Sequence, residues 1–385
     1  MNMATSTEGI MKALFTTFPA YGHLLPMLPL AHAAAASGDE VLVVASKELL
    51  GTGDGLAMRE FGPALPDVLA ENHRRYSEDI LGYRIDSSDL IDSTIALFTT
   101  TYADMAFDEL CALVADERPD VIVAEMWDFL APMVAQRFGI PWVAFAHSPA
   151  TPVDAALEGG LVRALAQREL TMPARLATVQ LWPEWLESEQ NAQHDDAMAI
   201  SAVPYDTSAL VDLPAFDDER PVVLVTLGTV VADLALLNSA VRAVLDAGAD
   251  ALVTTGFTAG PQDIEGDSDR IRAVPFAPIG QLLDRVQAVV AAGGSGTTLA
   301  ALSRGLPLAF VPRIANQPLV ASLVARFGAG TVCDDPAELT AAVRILLRES
   351  ELWARAGAAS ELLDQRPAPD AVWSALRDRV AASRV

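Results

Sequence analysis

Short apolar runs alternate with longer helical stretches along this chain. Runs at 12–17, 40–45, 120–124 and 141–146 read as strands, and stretches at 24–37, 90–115 and 130–138 as helices. Residues 48–69 are rich in Gly and Pro and read as loop, and 151–201 is less regular apart from a helix-like run at 157–170. After a polar, acidic, Pro-bearing segment the alternation restarts. Strands are expected at 222–227, 251–255, 271–274, 286–291 and 306–311, and helices at 232–245, 280–283 and 318–327. Strand–helix alternation predicts an α/β fold with parallel sheets of Rossmann type. Its restart predicts two such domains facing across a cleft. The expected bounds are a disordered lead-in at 1–10, a first domain at 11–204, a linker at 205–221 and a second domain at 222–385. The last helix is allowed to pack back on the first domain. Met11 is a plausible true start.

Composition narrows the function. The chain has 385 residues, 51% of them apolar, enough for two cores. No apolar run reaches the roughly 18–20 residues that span a bilayer. The net charge of −25 argues against nucleic acid and anionic membrane surfaces as partners. Any phosphate ligand must therefore be captured locally. Cys111 and Cys333 lack metal spacing and suit a reducing cytoplasm.

The chemistry concentrates after the run at 286–291. Gly293-Gly294-Ser295-Gly296-Thr297-Thr298 forms a glycine turn between a strand and a helix. Such a turn lets backbone approach an anion, which the free N–H groups and positive end of the helix then hold. A phosphate or diphosphate is the expected ligand. Asp267-Ser268-Asp269 reads as a solvated turn, and no P-loop or dinucleotide fingerprint occurs.

Several segments in order carry a resemblance. They are Tyr21-Gly22-His23-Leu24-Leu25-Pro26, Val203-Pro204-Tyr205, Val225-Thr226-Leu227-Gly228-Thr229, Val274-Pro275-Phe276-Ala277-Pro278, the glycine turn, and the run from Pro312 to Gly330. Together they resemble the GT-B nucleotide-sugar glycosyltransferases of family-1 type, in particular actinobacterial enzymes that decorate polyketide and macrolide antibiotics. The resemblance implies inverting transfer of a (deoxy)sugar from a dTDP- or UDP-sugar to a natural-product acceptor, with no metal and no cofactor beyond the co-substrate. It places the donor in the second half and the acceptor in the first. It leaves open a homodimer or an auxiliary protein partner.

The resemblance puts a general base at His23. A neutral imidazole at the cleft floor can take a proton from an acceptor hydroxyl. Glu125 would orient it, with Asp128 capping the helix at Leu130 or serving in its place. Gly228 and Thr229 would approach the donor phosphates or make an ordinary turn. Phe276 and Ala277 would hold the base, Gly293, Gly294, Ser295, Gly296 and Thr297 the diphosphate, and Asn316 and Gln317 the sugar. Tyr21, His147 and Trp182 would line the acceptor pocket, with Trp185 and Met172 beside them and His147 also a second base. His32, His73 and His194 read as structural or surface residues. Three positions depart from the family: Ala292 stands for the usual histidine before the glycines, Asn316 for aspartate and Val320 for asparagine. Arg313 is a candidate replacement charge. These departures motivate a second reading, a non-catalytic auxiliary relative or one catalysing a different tailoring step.

Overall fold

The computed structural model describes residues 9–76, 91–187, 196–213, 215–216, 220–229, 233–257 and 259–384. His194 and the lead-in at 1–8 lie outside them. The first half forms a seven-stranded sheet from β1 (Lys12–Thr16), β2 (Glu40–Ala45), β3 (Ala57–Glu60), β4 (Val121–Glu125), β5 (Trp142–Ala146), β6 (Arg175–Gln180) and β7 (Ala197–Ala199). Its spatial order is β3-β2-β1-β4-β5-β6-β7. The second half forms a six-stranded sheet from β8 (Val222–Thr226), β9 (Asp250–Thr254), β10 (Ile271–Val274), β11 (Ala288–Ala291), β12 (Leu308–Phe310) and β13 (Gly330–Val332), in the order β10-β9-β8-β11-β12-β13. Every pairing is parallel.

The central strands β4, β8 and β11 are buried along their whole length, which is why they read as unbroken apolar runs. In each sheet the strand order reverses once, between β1 and β4 and between β8 and β11. Open α/β sheets bind ligands outside the carboxyl ends of their strands at such a reversal. The two reversals place residues after β1, β4, β8 and β11 around one cleft.

Several expectations need correction. The stretch 48–69 contains strand β3 and the start of helix Leu65–Tyr76. β3 is a mostly exposed edge strand of sequence AMRE, so it lacks the apolar signature. The irregular stretch 151–201 supplies β6 and β7, and β13 was not expected. The long helix at 90–115 is two helices, Ile91–Ala96 and Tyr102–Glu117, joined by a π-helical turn at Leu97–Thr101. A Cβ on Gly160 would lie 2.5 Å from Ile95 Cγ2, so a neighbouring helix packs closely on this segment.

The chain end crosses to the first half. Helix Pro369–Ala382 packs on helix Leu28–Ala36. Trp373 Nε1 donates to buried Asp39 at 2.8 Å, and Arg366 donates to the carbonyl of Gln180 at 2.8 Å. One apolar cluster therefore contains residues of both halves, including Phe15, Leu299 and Trp373. Among the described residues no helix is long and apolar enough to cross a membrane.

Candidate active site

A cavity of about 370 Å³ opens between the two halves. On the first-domain side, Phe18-Pro19-Ala20 leads from β1 into the helical turn Tyr21–Leu24, which carries His23. β4 ends at Glu125, whose side chain is fully buried. His23 Nδ1 donates to Glu125 Oε2 at 2.8 Å. That bond fixes the ring proton on Nδ1 and leaves Nε2 as the basic nitrogen. The second carboxylate oxygen accepts the N–H of Trp127 at 3.0 Å and lies 3.2 Å from His147 Nδ1. Burial works to raise the Glu125 pKa. The facing imidazole of His23, its hydrogen bond to the carboxylate and the nearby ring of His147 outweigh it and hold the group at about 2. Burial pushes the His147 pKa down, favouring the neutral ring.

Of the two acids considered, Glu125 is the one bonded to His23. Asp128 accepts the N–H of Ala131 at 3.3 Å, at the start of helix Leu130–Phe138. Burial, with repulsion from Glu125, pushes the Asp128 pKa up to about 7. Phe18, Trp127 and His147 pack around the His23 ring at centroid distances of 5.6, 5.5 and 5.1 Å.

Across the cavity lies the glycine turn. Gly293 has φ +98°, and a Cβ there would come within 2.9 Å of the Gln317 carbonyl oxygen. Only glycine fits. Helix Ser295–Ser303 starts without a side-chain cap. Its first N–H groups have no acceptor within the helix, and Gly294, Ser295, Gly296 and Thr297 line the cavity. Thr298, fully buried, does not line it. Gly228 and Thr229 follow β8 on the same side, with Gly228 at φ +80°. Ala292 lines the cavity with its methyl group, and Val320 is fully buried in core. Arg313 lies outside the lining residues, so the replacement charge proposed for it is not supplied to the cavity.

Gln317 is nearly buried. Its Oε1 accepts the N–H groups of Arg313 and Ile314 at 2.9 and 3.0 Å, which shapes the loop before it. Asn316 Nδ2 donates to Ser148 Oγ at 2.6 Å, across the cleft. Phe276 and Ala277 line the cavity, and Phe276 packs on Phe257 and Tyr21 at 5.1 and 5.3 Å. Tyr21 lines the cavity at this seam, its hydroxyl donating to the Glu48 carbonyl at 2.6 Å.

Trp182 does not line the cavity. It is fully buried in the apolar core, so its acceptor role is withdrawn. Trp185 packs on Phe327 at 4.9 Å, and Met172 is exposed. The first-domain side of the cavity is lined instead by Leu65, Leu69, Phe98, Trp127 and Leu157. Phe98 sits in the π-helical turn, which no local sequence signal marks. Trp127, two residues past the acid at a strand end, was open to detection. Among the described lining residues there is no Lys, Arg, Asp or Glu.

Two family models match the chain. "Erythromycin biosynthesis protein CIII-like, N-terminal domain" covers residues 32–228, and the C-terminal domain model of the same family covers 233–378. This chain belongs to that family. It is a GT-B glycosyltransferase of the family-1 type. Among its relatives, the elloramycin glycosyltransferase ElmGT of Streptomyces olivaceus is 31% identical over 391 residues, 93% of this chain and 95% of that one. The L-demethylnoviosyl transferase of Streptomyces niveus is 28% identical over 383 residues, 94% and 96% of the two chains. The spinosyn rhamnosyltransferase SpnG, complexed with thymidine diphosphate, shares its fold at a TM-score of 0.80 and 22% identity. That match covers 95% of this glycosyltransferase and 100% of SpnG. SsfS6 of Streptomyces sp. SF2575, also complexed with thymidine diphosphate, matches at 0.78 and 24%, over 95% and 99% of the chains.

Proposed function

We propose that this glycosyltransferase moves a deoxysugar from a dTDP- or UDP-linked donor to a hydroxyl of a polyketide-type aglycone in secondary metabolism, inverting the anomeric centre. His23 Nε2 takes the hydroxyl proton as the acceptor oxygen bonds to the anomeric carbon. The bond from that carbon to the diphosphate oxygen breaks in the same displacement. Glu125, ionised and bonded to the other ring nitrogen, stabilises the imidazolium. The leaving diphosphate passes to the N–H groups and hydroxyls at Ser295, Gly296 and Thr297, assisted by Gly228, Thr229, Gly293 and Gly294. Phe276 and Ala277 take the base, Asn316 and Gln317 the sugar, and Tyr21 and His147 the acceptor. The reading uses no metal and no further cofactor.

One observation carries it. The His23–Glu125 pair and an uncapped helix N-terminus face each other across one cavity. Thymidine diphosphate in the complexes of SpnG and SsfS6 favours the thymidine donor. A lining with no full charge among its described residues suits a neutral aglycone. The auxiliary reading motivated by Ala292 is not favoured, since the relatives are named transferases. Two isolated cysteines fit a cytoplasmic enzyme.

Calorimetric titration with dTDP, UDP and their sugar nucleotides tests the reading. Saturable binding of one nucleotide at one site per chain is expected. Failure of every nucleotide to bind would remove the donor site and return the auxiliary role.

A further inference from the structure

We propose that the cavity floor also holds a transition-metal site, built by His23, Glu125 and His147 and selective for an ion such as zinc. One ligand atom from each residue lies within 4.8 Å of the others. His23 Nδ1 is 2.8 Å from one oxygen of Glu125, and His147 Nδ1 is 3.2 Å from the other. Ligands about a tetrahedral zinc ion, with bonds of roughly 2.0–2.1 Å, stand about 3.3 Å apart. The two measured separations, each to a different oxygen of Glu125, lie within about half an ångström of that spacing.

A second observation points the same way. His147 is 6% exposed, and its Nδ1 is buried with no hydrogen-bond partner among the described residues, being out of line for Glu125. A buried, unsatisfied imidazole nitrogen next to a carboxylate is a donor awaiting a cation. Two imidazoles and one carboxylate suit zinc, cobalt or copper, whereas magnesium and calcium prefer oxygen-only sites. Phe18, Phe98 and Trp127 enclose the His23 side with apolar surface.

The consequence for catalysis rests on His23 as the base; the site itself does not. A metal on Nδ1 displaces the ring proton to Nε2, with no net loss of protons. Nε2 then has no lone pair for the acceptor hydroxyl. Zinc is thus an inhibitor that captures the base, with no part in the transfer.

The test uses the full-length, tag-free, metal-stripped protein and Co²⁺ as a visible probe. Addition of Co²⁺ is expected to give the absorption of a low-coordinate imidazole site, saturating at one ion per chain and displaced by Zn²⁺. His147→Leu and Glu125→Gln should each abolish it, with His147→Asn replacing the leucine variant if that does not fold. Zn²⁺ should raise the melting temperature of the wild type but not of the His147 variant. At saturating Zn²⁺, sugar transfer should fall by about 10²-fold or more, the worth of a general base, and return with a chelator. Mg²⁺ should do neither. No Co²⁺ absorption, or equal binding by both variants, overturns the site. Metal binding without sugar transfer from any donor would instead overturn the proposed function and leave the site standing.

Discussion

Asn316 and Ser148 join the two halves of the molecule. The Asn316 amide donates to the Ser148 hydroxyl at 2.6 Å, next to His147 and above the glycine turn. Asn316 follows Ala315, held at φ +51°, so the loop that carries the amide is conformationally constrained. The bond couples the loop before helix Gln317–Phe327 to the segment that follows β5. Ser148→Ala should leave the fold intact and loosen closure by about 1 kcal/mol, the net worth of one neutral hydrogen bond. The expected result is a severalfold rise in donor hydrolysis relative to transfer, read by product analysis. An unchanged ratio would show that the bond does not govern closure.

His23→Ala should lower kcat for transfer by about 10²- to 10⁴-fold and leave nucleotide affinity nearly unchanged. Glu125→Gln should follow it in direction, because a neutral amide supports the imidazolium poorly. Single-turnover rates set beside calorimetric affinities separate the two effects. Comparable losses in affinity and rate would make His23 a binding residue.

Gly293→Ala should impair the donor site. The added methyl meets the Gln317 carbonyl oxygen at 2.9 Å in a backbone region that disfavours alanine. Nucleoside-diphosphate affinity should fall at least about tenfold, since the turn must move by several tenths of an ångström. Gly357→Ala makes the control, because a methyl there meets nothing within 4 Å and the residue lies outside the cavity lining. Equal affinity in both variants would contradict a role for the turn.

Asp128 gives a pH signature. Its folded pKa of about 7 lies above the ordinary 3.8. The folded protein therefore binds the proton more tightly than the unfolded chain, and stability falls as pH rises from about 4 to 7. Below about 4 the group costs nothing; above about 7 the whole cost, on the order of 4 kcal/mol, is present. Asp128→Asn keeps an oxygen for the Ala131 N–H and removes the charge. Its melting temperature should exceed the wild type at pH 8, with the advantage vanishing towards pH 4. A constant offset across that range would contradict the assignment.

Legibility followed burial and local constraint. β1, β4, β8 and β11 are continuous apolar runs, so both sheets and their reversals could be read from the sequence. The glycine turn was legible because a strand, a left-handed glycine and a helix start leave a local mark. β3 and β7 were not, since edge strands bury little and carry mixed residues. Trp182 misled because an aromatic cluster looks alike whether it faces a ligand or a core. The Asn316–Ser148 bond joins residues 168 apart, which no local pattern records. The proximity of His147 to Glu125 likewise depends on the pairing of β4 with β5.

The most direct test is a crystal structure of the full chain with dTDP and a candidate aglycone. Diphosphate oxygens should accept hydrogen bonds from backbone N–H groups of Ser295 to Thr297, with the aglycone hydroxyl within hydrogen-bond reach of His23 Nε2. A diphosphate seated away from the glycine turn, or an aglycone whose hydroxyls all lie beyond reach of His23, would contradict the account.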